Sequence, residues 1–501
     1  MSDEPLPVAG RETRRRRAAL AVALAVGLAP ILVAGASPQA DAVVHLRHAA
    51  ALRAGGDDHH EVTGTSALLP YQVTYRLMAV TLGLASGEVA LIAFGAASVL
   101  AMAAAALVLT GRAARPSLAL LFAGMAYSSV YYDGFLNFRL GQAVALLLLA
   151  RRLDHPGPRG PWLDVALLGV AYLLHPFALG LGLLALALVR PADPGPWRRA
   201  PEVVAALLAL VTASSGGGAH DGPAWLLEDL RQGLTGAALA GKLTYLVTEP
   251  FARRSPLEGA LGLAGLLLAA AALWRRRARD GAPRSEGLVR VTAAVAALYM
   301  LLPYFLASVA AVNERFAQTL HLLLVVLLAR RALGRPEPRP ALREAGAIDD
   351  HAAPAGSPGG GRPVVLWLAA ASLLVAATCC HLRLEALRAE FRPLTAHMAP
   401  ARRLVVADLT GGAAPSIVTR DYLLVAGGVT PHGTFINTLM PTRQRAMPTP
   451  RHPEDAAAYL DADYVAVRVA PGRERLPTFA ARCRVVARAG RWLLLAPARD
   501  E

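Results

Sequence analysis

Long apolar runs separated by short arginine clusters are the feature that most constrains the fold of this 501-residue chain. A helix rises 1.5 Å per residue, so about 20 apolar residues cross the hydrocarbon core of a membrane. Hydrophobic residues make up 55% of the chain and charged residues only 17%. This composition argues against a soluble enzyme, a disordered protein or a disulfide scaffold. The apolar runs are 18–36, 88–110, 116–131, 138–150, 163–176, 177–189, 202–214, 258–274, 289–310, 316–329 and 363–380.

These runs predict an α-helical polytopic membrane protein with about 11 transmembrane helices. His175-Pro176 interrupts the apolar stretch 163–189. Because proline disrupts a helix interior, we expect two short, tightly connected helices there. Segment 67–85 is apolar but is interrupted by Gln72, Thr74 and Arg76. We expect it to form one or two amphipathic helices that lie in the membrane interface.

The positive charge of the chain, +15 in all, gives the orientation. With eleven spans and a cytoplasmic N-terminus, the cytoplasmic segments hold 25 arginines, whereas the outer loops between spans hold 9 basic residues. Basic residues are enriched in cytoplasmic loops of membrane proteins. The chain is therefore predicted to lie in the inner (plasma) membrane with its C-terminus extracytoplasmic. No basic stripe with interleaved aromatics is left on a soluble face, which argues against a nucleic-acid partner.

The domain organisation follows from these spans. Strand-like runs at 404–407 and 464–469, and a hairpin pattern over 483–495, predict a small C-terminal α/β extracytoplasmic domain. The predicted segments are a cytoplasmic basic N-terminus 1–17, a transmembrane core 18–330 with first outer loop 38–87, a flexible cytoplasmic linker 331–362, a last transmembrane helix 363–380 and the extracytoplasmic domain 381–501.

The first outer loop carries the clearest candidates for chemistry. Asp41 and His45 are four residues apart on a predicted helix, so they share one face at the membrane surface. An acidic and histidine cluster follows, and it includes Asp57 and Asp58. The alternatives are that Asp41 only caps its helix and that the cluster is a solvated turn.

Three further outer segments carry polar residues between apolar runs. Asp133 and Arg139 lie in one turn, where an ionisable residue at membrane depth suggests function, although the two side chains could simply pair. His175 lies at the tip of the short helix pair, as a ligand or as a structural hydrogen-bonding residue. Arg315 is the only basic residue of outer loop 311–315. It is suited to bind a phosphate, or to act as an interfacial anchor paired with Glu314 or lipid headgroups.

The order of these features resembles the GT-C superfamily of polytopic glycosyltransferases, which includes protein O-mannosyltransferases and aminoarabinose transferases. The resemblance rests on an acidic residue after span one, flat amphipathic helices before span two, a short helix pair with a proline-containing tip, an Arg-aromatic pair opening a late span and a polar closing domain. In this chain these are Asp41, 67–85, 163–189, Arg315-Phe316 and 381–501. The chain departs from the family at His175-Pro176, where relatives often carry Thr-Lys-Pro.

The resemblance implies a glycosyltransferase that moves a sugar from a polyprenyl-phosphate donor to an acceptor outside the cell membrane. Asp41 is then the general base, or orients a metal that takes this role, with help from Asp57, Asp58 or Glu61. Asp58 is assigned as the second catalytic residue. The residues implied in substrate binding are His45, Asp57, Asp133, Arg139, His175 and Arg315. The expected partners are the lipid-linked donor and membrane lipids, no metal ligands are assigned, and a divalent cation remains a candidate cofactor. The alternatives are a transporter or lipid flippase, and a non-catalytic envelope-assembly protein.

Overall fold

The computed structural model describes a mostly helical chain with two small sheets. Residues 8–35, 40–56, 60–62, 70–111, 114–154, 161–189, 200–215, 224–248, 255–274, 286–303, 312–333, 362–399, 404–408, 442–444, 460, 462–469, 476 and 478–498 are described. Most of the predicted linker 331–362, and the acids Asp57 and Asp58, lie outside the described residues.

Each of the eleven predicted apolar runs coincides with one or two helices. The helices are α1 (Val8–Val26), α2 (Ala29–Ala34), α3 (Ala40–Ala54), α4 (Gln72–Leu84), α5 (Gly87–Leu109), α6 (Pro116–Ala126), α7 (Ser129–Tyr132), α8 (Leu136–Asp154), α9 (Pro161–Leu174), α10 (Pro176–Leu188), α11 (Ala200–Ser215), α12 (Ala224–Gly233), α13 (Gly236–Thr248), α14 (Pro256–Trp274), α15 (Glu286–Leu301), α16 (Val312–Leu333) and α17 (Arg362–Thr395).

Four stretches of helix are long and apolar enough to cross a membrane, counted among the described residues. They are Thr13–Ala34, Gly87–Leu109, Pro256–Trp274 and Val364–Thr395. Helices α6, α9 and α10 are apolar but shorter. By length and composition the structure therefore supports a helical membrane bundle, and the predicted number of about 11 spans stays a prediction.

The break at His175-Pro176 is present as predicted. Helix α9 ends at Leu174 and α10 begins at Pro176, whose missing N–H and fixed φ suit the first position of a helix. His175 is the N-cap residue of α10, and its ring accepts a hydrogen bond from the backbone N–H of Phe177. The sequence thus holds the histidine ring at the helix junction.

Helix α17 continues beyond Cys380, where the last predicted span ends. Its 34 residues correspond to about 51 Å of helix. Arg388 of its second half pairs with Glu88 at the start of α5, with 3.0 Å between Nη1 and Oε1. Phe391, Leu394 and Met398 then pack against the C-terminal sheet. One helix therefore joins the membrane bundle to the sheet.

The C-terminal sheet contains the strands predicted from the sequence. Its strands are β2 (Leu404–Asp408), β4 (Tyr464–Arg468), β5 (Cys483–Ala489) and β6 (Trp492–Pro497), in the order β2-β4-β6-β5. Strands β2 and β4 are parallel, and the β5–β6 hairpin is antiparallel. With α17 packed on it, this sheet has the predicted α/β composition. Cys379, Cys380 and Cys483 are free thiols.

A second, two-stranded sheet links distant parts of the chain. Strand β1 (His60–Val62) follows α3, and it pairs antiparallel with β3 (Thr442–Gln444) from the C-terminal region. Val62 lies opposite Thr442. This pairing was not predicted from the sequence, and it ties the segment after α3 to the region that follows α17.

Candidate functional site

The N-terminus of α3 lies against the turn between α7 and α8. The backbone N–H of Asp41 donates to the carbonyl oxygen of Asp133 at 3.1 Å. Gly134 makes this approach possible, because a Cβ on it would lie 2.4 Å from the backbone nitrogen of Ala42. Its φ of +84° also favours glycine. Asp41 and Asp133, which are 92 positions apart in the sequence, are thereby brought together. We call this end of the bundle the Asp41 end.

The surroundings of Asp41 bring the pKa of its carboxyl group close to neutral pH. Helix α3 lies outside the candidate spans. Burial, which penalises the charged form, raises the pKa of Asp41 from 3.8 to about 7. The charge of Arg315 lowers this pKa and the charge of Asp133 raises it. A carboxylate with such a pKa is suited to accept and release a proton near pH 7.

His45 lies one helical turn from Asp41 and is held by Tyr75 of α4. Its Nδ1 and the Tyr75 hydroxyl oxygen are 2.5 Å apart, and the two rings meet edge to face. Burial and then the charge of Arg315 lower the pKa of His45 to about 4, so the imidazole is neutral at pH 7. Burial raises the pKa of Tyr75, so its hydroxyl keeps its proton at neutral pH. In the tautomer that carries the proton on Nε2, the Tyr75 hydroxyl donates to Nδ1 and the Nε2–H of His45 remains as a donor.

Arg315 begins the second turn of α16 and lies among aromatic rings. Its guanidinium carbon is 4.2 Å from the ring centroid of Phe135, 5.6 Å from that of Phe138 and 5.3 Å from that of Phe177. Arg315 is only 4% exposed, and its Nε has no hydrogen-bond acceptor among the described residues. A buried guanidinium that is stacked on rings and retains a free donor is suited to hold an anion.

His175 lies between Arg315 and Tyr71. Its Nε2 lies 3.1 Å from the Tyr71 hydroxyl oxygen and 3.3 Å from Nη1 of Arg315. Its ring also packs against those of Tyr71 and Phe138. The junction between α9 and α10 thus places a buried histidine between two polar side chains from α16 and from the start of α4.

Tyr71 is held in an unusual backbone conformation. Its φ is +70°, which is the left-handed region that side chains other than glycine rarely adopt. Its N–H donates to the carbonyl oxygen of Leu173 at 2.9 Å, which fixes the residue against the end of α9. Burial raises the pKa of its hydroxyl to about 12, so the group is a donor at neutral pH. Strain of this kind is often found at functional sites.

Arg139 does not share these surroundings. Its guanidinium donates to the Ser98 hydroxyl oxygen at 3.0 Å and to the carbonyl oxygen of Ala126 at 2.5 Å, and lies 5.0 Å from the Tyr131 ring centroid. The suggested pair with Asp133 is not among these contacts. Arg139 is fully buried between helices. This side chain joins α8 to α5 and α6 rather than facing Asp41.

Five of the predicted site residues therefore meet at the Asp41 end: Asp41, His45, Asp133, His175 and Arg315. Asp57 and Asp58 fall outside the described residues. Tyr71, Tyr75 and the phenylalanines around Arg315 were not predicted from the sequence. The four-residue spacing of Tyr71 and Tyr75 was a usable signal for one helical face, although Tyr71 is the residue just before α4. Within the described part of the chain, no group of three His, Cys, Asp or Glu side chains is placed to hold a metal ion.

Comparison with known proteins identifies the fold. No protein-family model matches the chain, and no curated protein matches it significantly. The crystal structure of ArnT from Cupriavidus metallidurans bound to undecaprenyl phosphate is similar, with a TM-score of 0.52 and 17% identity over 99% of each chain. ArnT is a GT-C aminoarabinose transferase. At this identity the similarity shows a shared fold alone, which is the GT-C-like fold that the sequence resembles.

Proposed function

We propose that this protein is an integral-membrane glycosyltransferase that moves a sugar from a polyprenyl-phosphate donor to an acceptor on the extracytoplasmic side. The observation that carries the proposal is the meeting of a proton-accepting group and an anion-binding group. Asp41, with a pKa of about 7, lies within electrostatic reach of the buried Arg315. The similar protein ArnT was crystallised with undecaprenyl phosphate, which supports a phosphate-bearing lipid as the ligand.

The reaction divides between these two groups. The Asp41 carboxylate takes the proton of the acceptor hydroxyl while the hydroxyl oxygen forms a bond to the anomeric carbon of the sugar. The bond between that carbon and the phosphate oxygen breaks, and the polyprenyl phosphate leaves with the electron pair. The Arg315 guanidinium stabilises the charge that develops on the leaving phosphate. Asp133 raises the pKa of Asp41 and so makes it a stronger base.

The positions of the charged residues support an outward-facing site. The arginine clusters assigned to the cytoplasmic side lie at the opposite ends of the helices: Arg151 and Arg152 end α8, and Arg330 and Arg331 end α16. Asp41 lies near the N-terminus of α3 and Arg315 near the N-terminus of α16, away from these arginine clusters. A membrane-embedded donor suits this location, since the rings around Arg315 exclude water from the phosphate and strengthen its attraction to the guanidinium. In this assignment the N-terminus is cytoplasmic and the C-terminal sheet is extracytoplasmic.

The proposal is tested by following the donor in proteoliposomes that contain the full chain. The donors are polyprenyl-phosphate-linked pentoses and hexoses, and the readout is the release of free polyprenyl phosphate. We expect the native chain to release polyprenyl phosphate and Arg315→Gln to release it roughly 100-fold more slowly or worse. Glu286→Gln, whose side chain lies exposed at the opposite end of the bundle, should release it at the native rate. Movement of intact donor across the bilayer without release would contradict the proposal and indicate a transporter.

A further inference from the structure

The hydrogen bonds of His175 determine which of its nitrogens carries the proton. Its Nδ1 accepts from the backbone N–H of Phe177 at 3.1 Å, as the N-cap of α10. A nitrogen that accepts a hydrogen bond carries no hydrogen, which excludes the doubly protonated imidazolium. A neutral imidazole has one N–H, so the proton of His175 is on Nε2.

The proton on Nε2 of His175 determines which group donates in each of the two short contacts at that nitrogen. The Tyr71 oxygen, at 3.1 Å, must accept the Nε2–H. Nη1 of Arg315, at 3.3 Å, carries only hydrogens, so its contact with Nε2 brings two donors together and is not a hydrogen bond. His175 therefore donates to the Tyr71 oxygen, and it leaves Nη1 of Arg315, like Nε, without a hydrogen-bond acceptor among the described residues.

The hydroxyl hydrogen of Tyr71 is left available by the same assignment. His175 occupies one lone pair of the Tyr71 oxygen, and the hydroxyl has no second hydrogen-bond partner among the described residues. Tyr71 is only 8% exposed, and both Arg315 and Asp41 lie within electrostatic reach of its hydroxyl. The Tyr71 hydroxyl oxygen and Nη1 of Arg315 lie 3.1 and 3.3 Å from the same atom, His175 Nε2, so the two donors are close enough together for one anion to accept from both.

We propose that the Tyr71 hydroxyl donates a hydrogen bond to the phosphate of the lipid-linked donor, beside the Arg315 guanidinium. This inference rests on the proposed function, because it names a further binding residue for the same donor. The left-handed backbone of Tyr71 and the hydrogen bond from its N–H to the Leu173 carbonyl oxygen hold the residue in place, and the contact with His175 Nε2 orients its hydroxyl. His175 acts as a positioning residue that orients the hydroxyl without touching the phosphate.

The test compares a phosphate lipid with its alcohol. The full chain in lipid nanodiscs is titrated with undecaprenyl phosphate and with undecaprenol, in competition with a fluorescent polyprenyl phosphate. Tyr71→Phe keeps the ring and removes the hydroxyl. We expect it to weaken binding of the phosphate by roughly 10- to 100-fold, as for a hydrogen bond to a charged group, and to leave binding of the alcohol unchanged. The control is Tyr127→Phe, which removes a buried hydroxyl that donates to the Gly27 carbonyl oxygen.

Each outcome decides one of the two proposals. If the native chain prefers the phosphate and Tyr71→Phe retains that preference, the role of Tyr71 is overturned while the proposed function stands. If the native chain does not distinguish phosphate from alcohol, or inorganic phosphate displaces the probe equally well, the lipid-linked donor itself is rejected. If Tyr71→Phe does not fold, 3,5-difluorotyrosine is placed at position 71 instead. Its more acidic hydroxyl is a stronger hydrogen-bond donor, so this variant should bind the phosphate lipid more tightly than the native chain. Unchanged or weaker binding in that variant would overturn the inference.

Discussion

The backbone amide of Asp41 donates a 3.1 Å hydrogen bond to the carbonyl oxygen of Asp133. This bond joins the first turn of α3 to the turn before α8, and it places two carboxylates in one electrostatic environment. Because like charges oppose each other, the Asp133 charge raises the pKa of Asp41. The geometry of the proposed base thus depends on the turn that contains Asp133 and Gly134.

Gly134 is the residue at which this contact is most vulnerable. Gly134→Ala should destabilise the protein by about 1–3 kcal/mol, because alanine is strained at a φ of +84° and its Cβ would clash with the Ala42 nitrogen. Since Asp41 would be displaced, turnover should fall by roughly 10-fold or more. Thermal unfolding and donor turnover measure the two effects. Gly169→Ala on α9 is the control, as its Cβ would enter open space. Equal behaviour of the two variants would contradict the account.

The rate should depend on pH through the ionisation of Asp41. Only the carboxylate can accept a proton, so kcat/KM should rise with pH and level off above the pKa of about 7. Asp133→Asn removes the charge that raises this pKa, and the inflection should therefore move to lower pH. A pH–rate profile of the residual activity measures the shift. An inflection that stays in place, or moves to higher pH, would mean that another group limits the rate.

Tyr75 should act through His45. Tyr75→Phe removes the hydroxyl that lies 2.5 Å from Nδ1, which frees the imidazole to rotate or to change its tautomer. We expect donor turnover to fall by roughly 3- to 10-fold, the range for one neutral hydrogen bond. Tyr127→Phe loses a comparable buried hydrogen bond away from the site and should keep its turnover. A similar loss in both variants would assign the effect to stability alone.

The pairing of β1 with β3 can be tested by cross-linking. Opposed residues of antiparallel strands have Cα atoms roughly 4.5–5.5 Å apart, within the range of a disulfide. In a background without the three native cysteines, Val62→Cys with Thr442→Cys should therefore form a disulfide under mild oxidation. Val62→Cys with Gln444→Cys is out of register by two residues and should not. Mass spectrometry distinguishes the two, and failure of the first pair would refute the link.

The helices were largely predictable because apolar runs and proline act locally. The break at His175-Pro176 follows from proline chemistry alone. The extension of α17 was missed because its apolar run ends at Cys380. The spacing of Leu384, Leu387, Phe391 and Leu394 nevertheless has the helical period, and would have indicated a continuing amphipathic helix.

The site was only half predictable, since its contacts join distant parts of the chain. Asp41 and Arg315 stood out as charges next to apolar runs. Tyr71 did not, because its role depends on His175, which is 104 positions away. Arg139 looked like a site residue from its neighbours in sequence. Its side chain faces Ser98 and Ala126 instead, since helix orientation about its axis is set by packing.

The most direct test of the account separates binding from chemistry in Asp41→Asn. The measurement is donor turnover in membranes, together with undecaprenyl phosphate affinity of the same preparation. If Asp41 is the base, turnover should fall by roughly 100-fold or more, as expected for loss of general-base catalysis, while affinity stays within about threefold because Arg315 is intact. Turnover that is unchanged in Asp41→Asn would contradict the central claim.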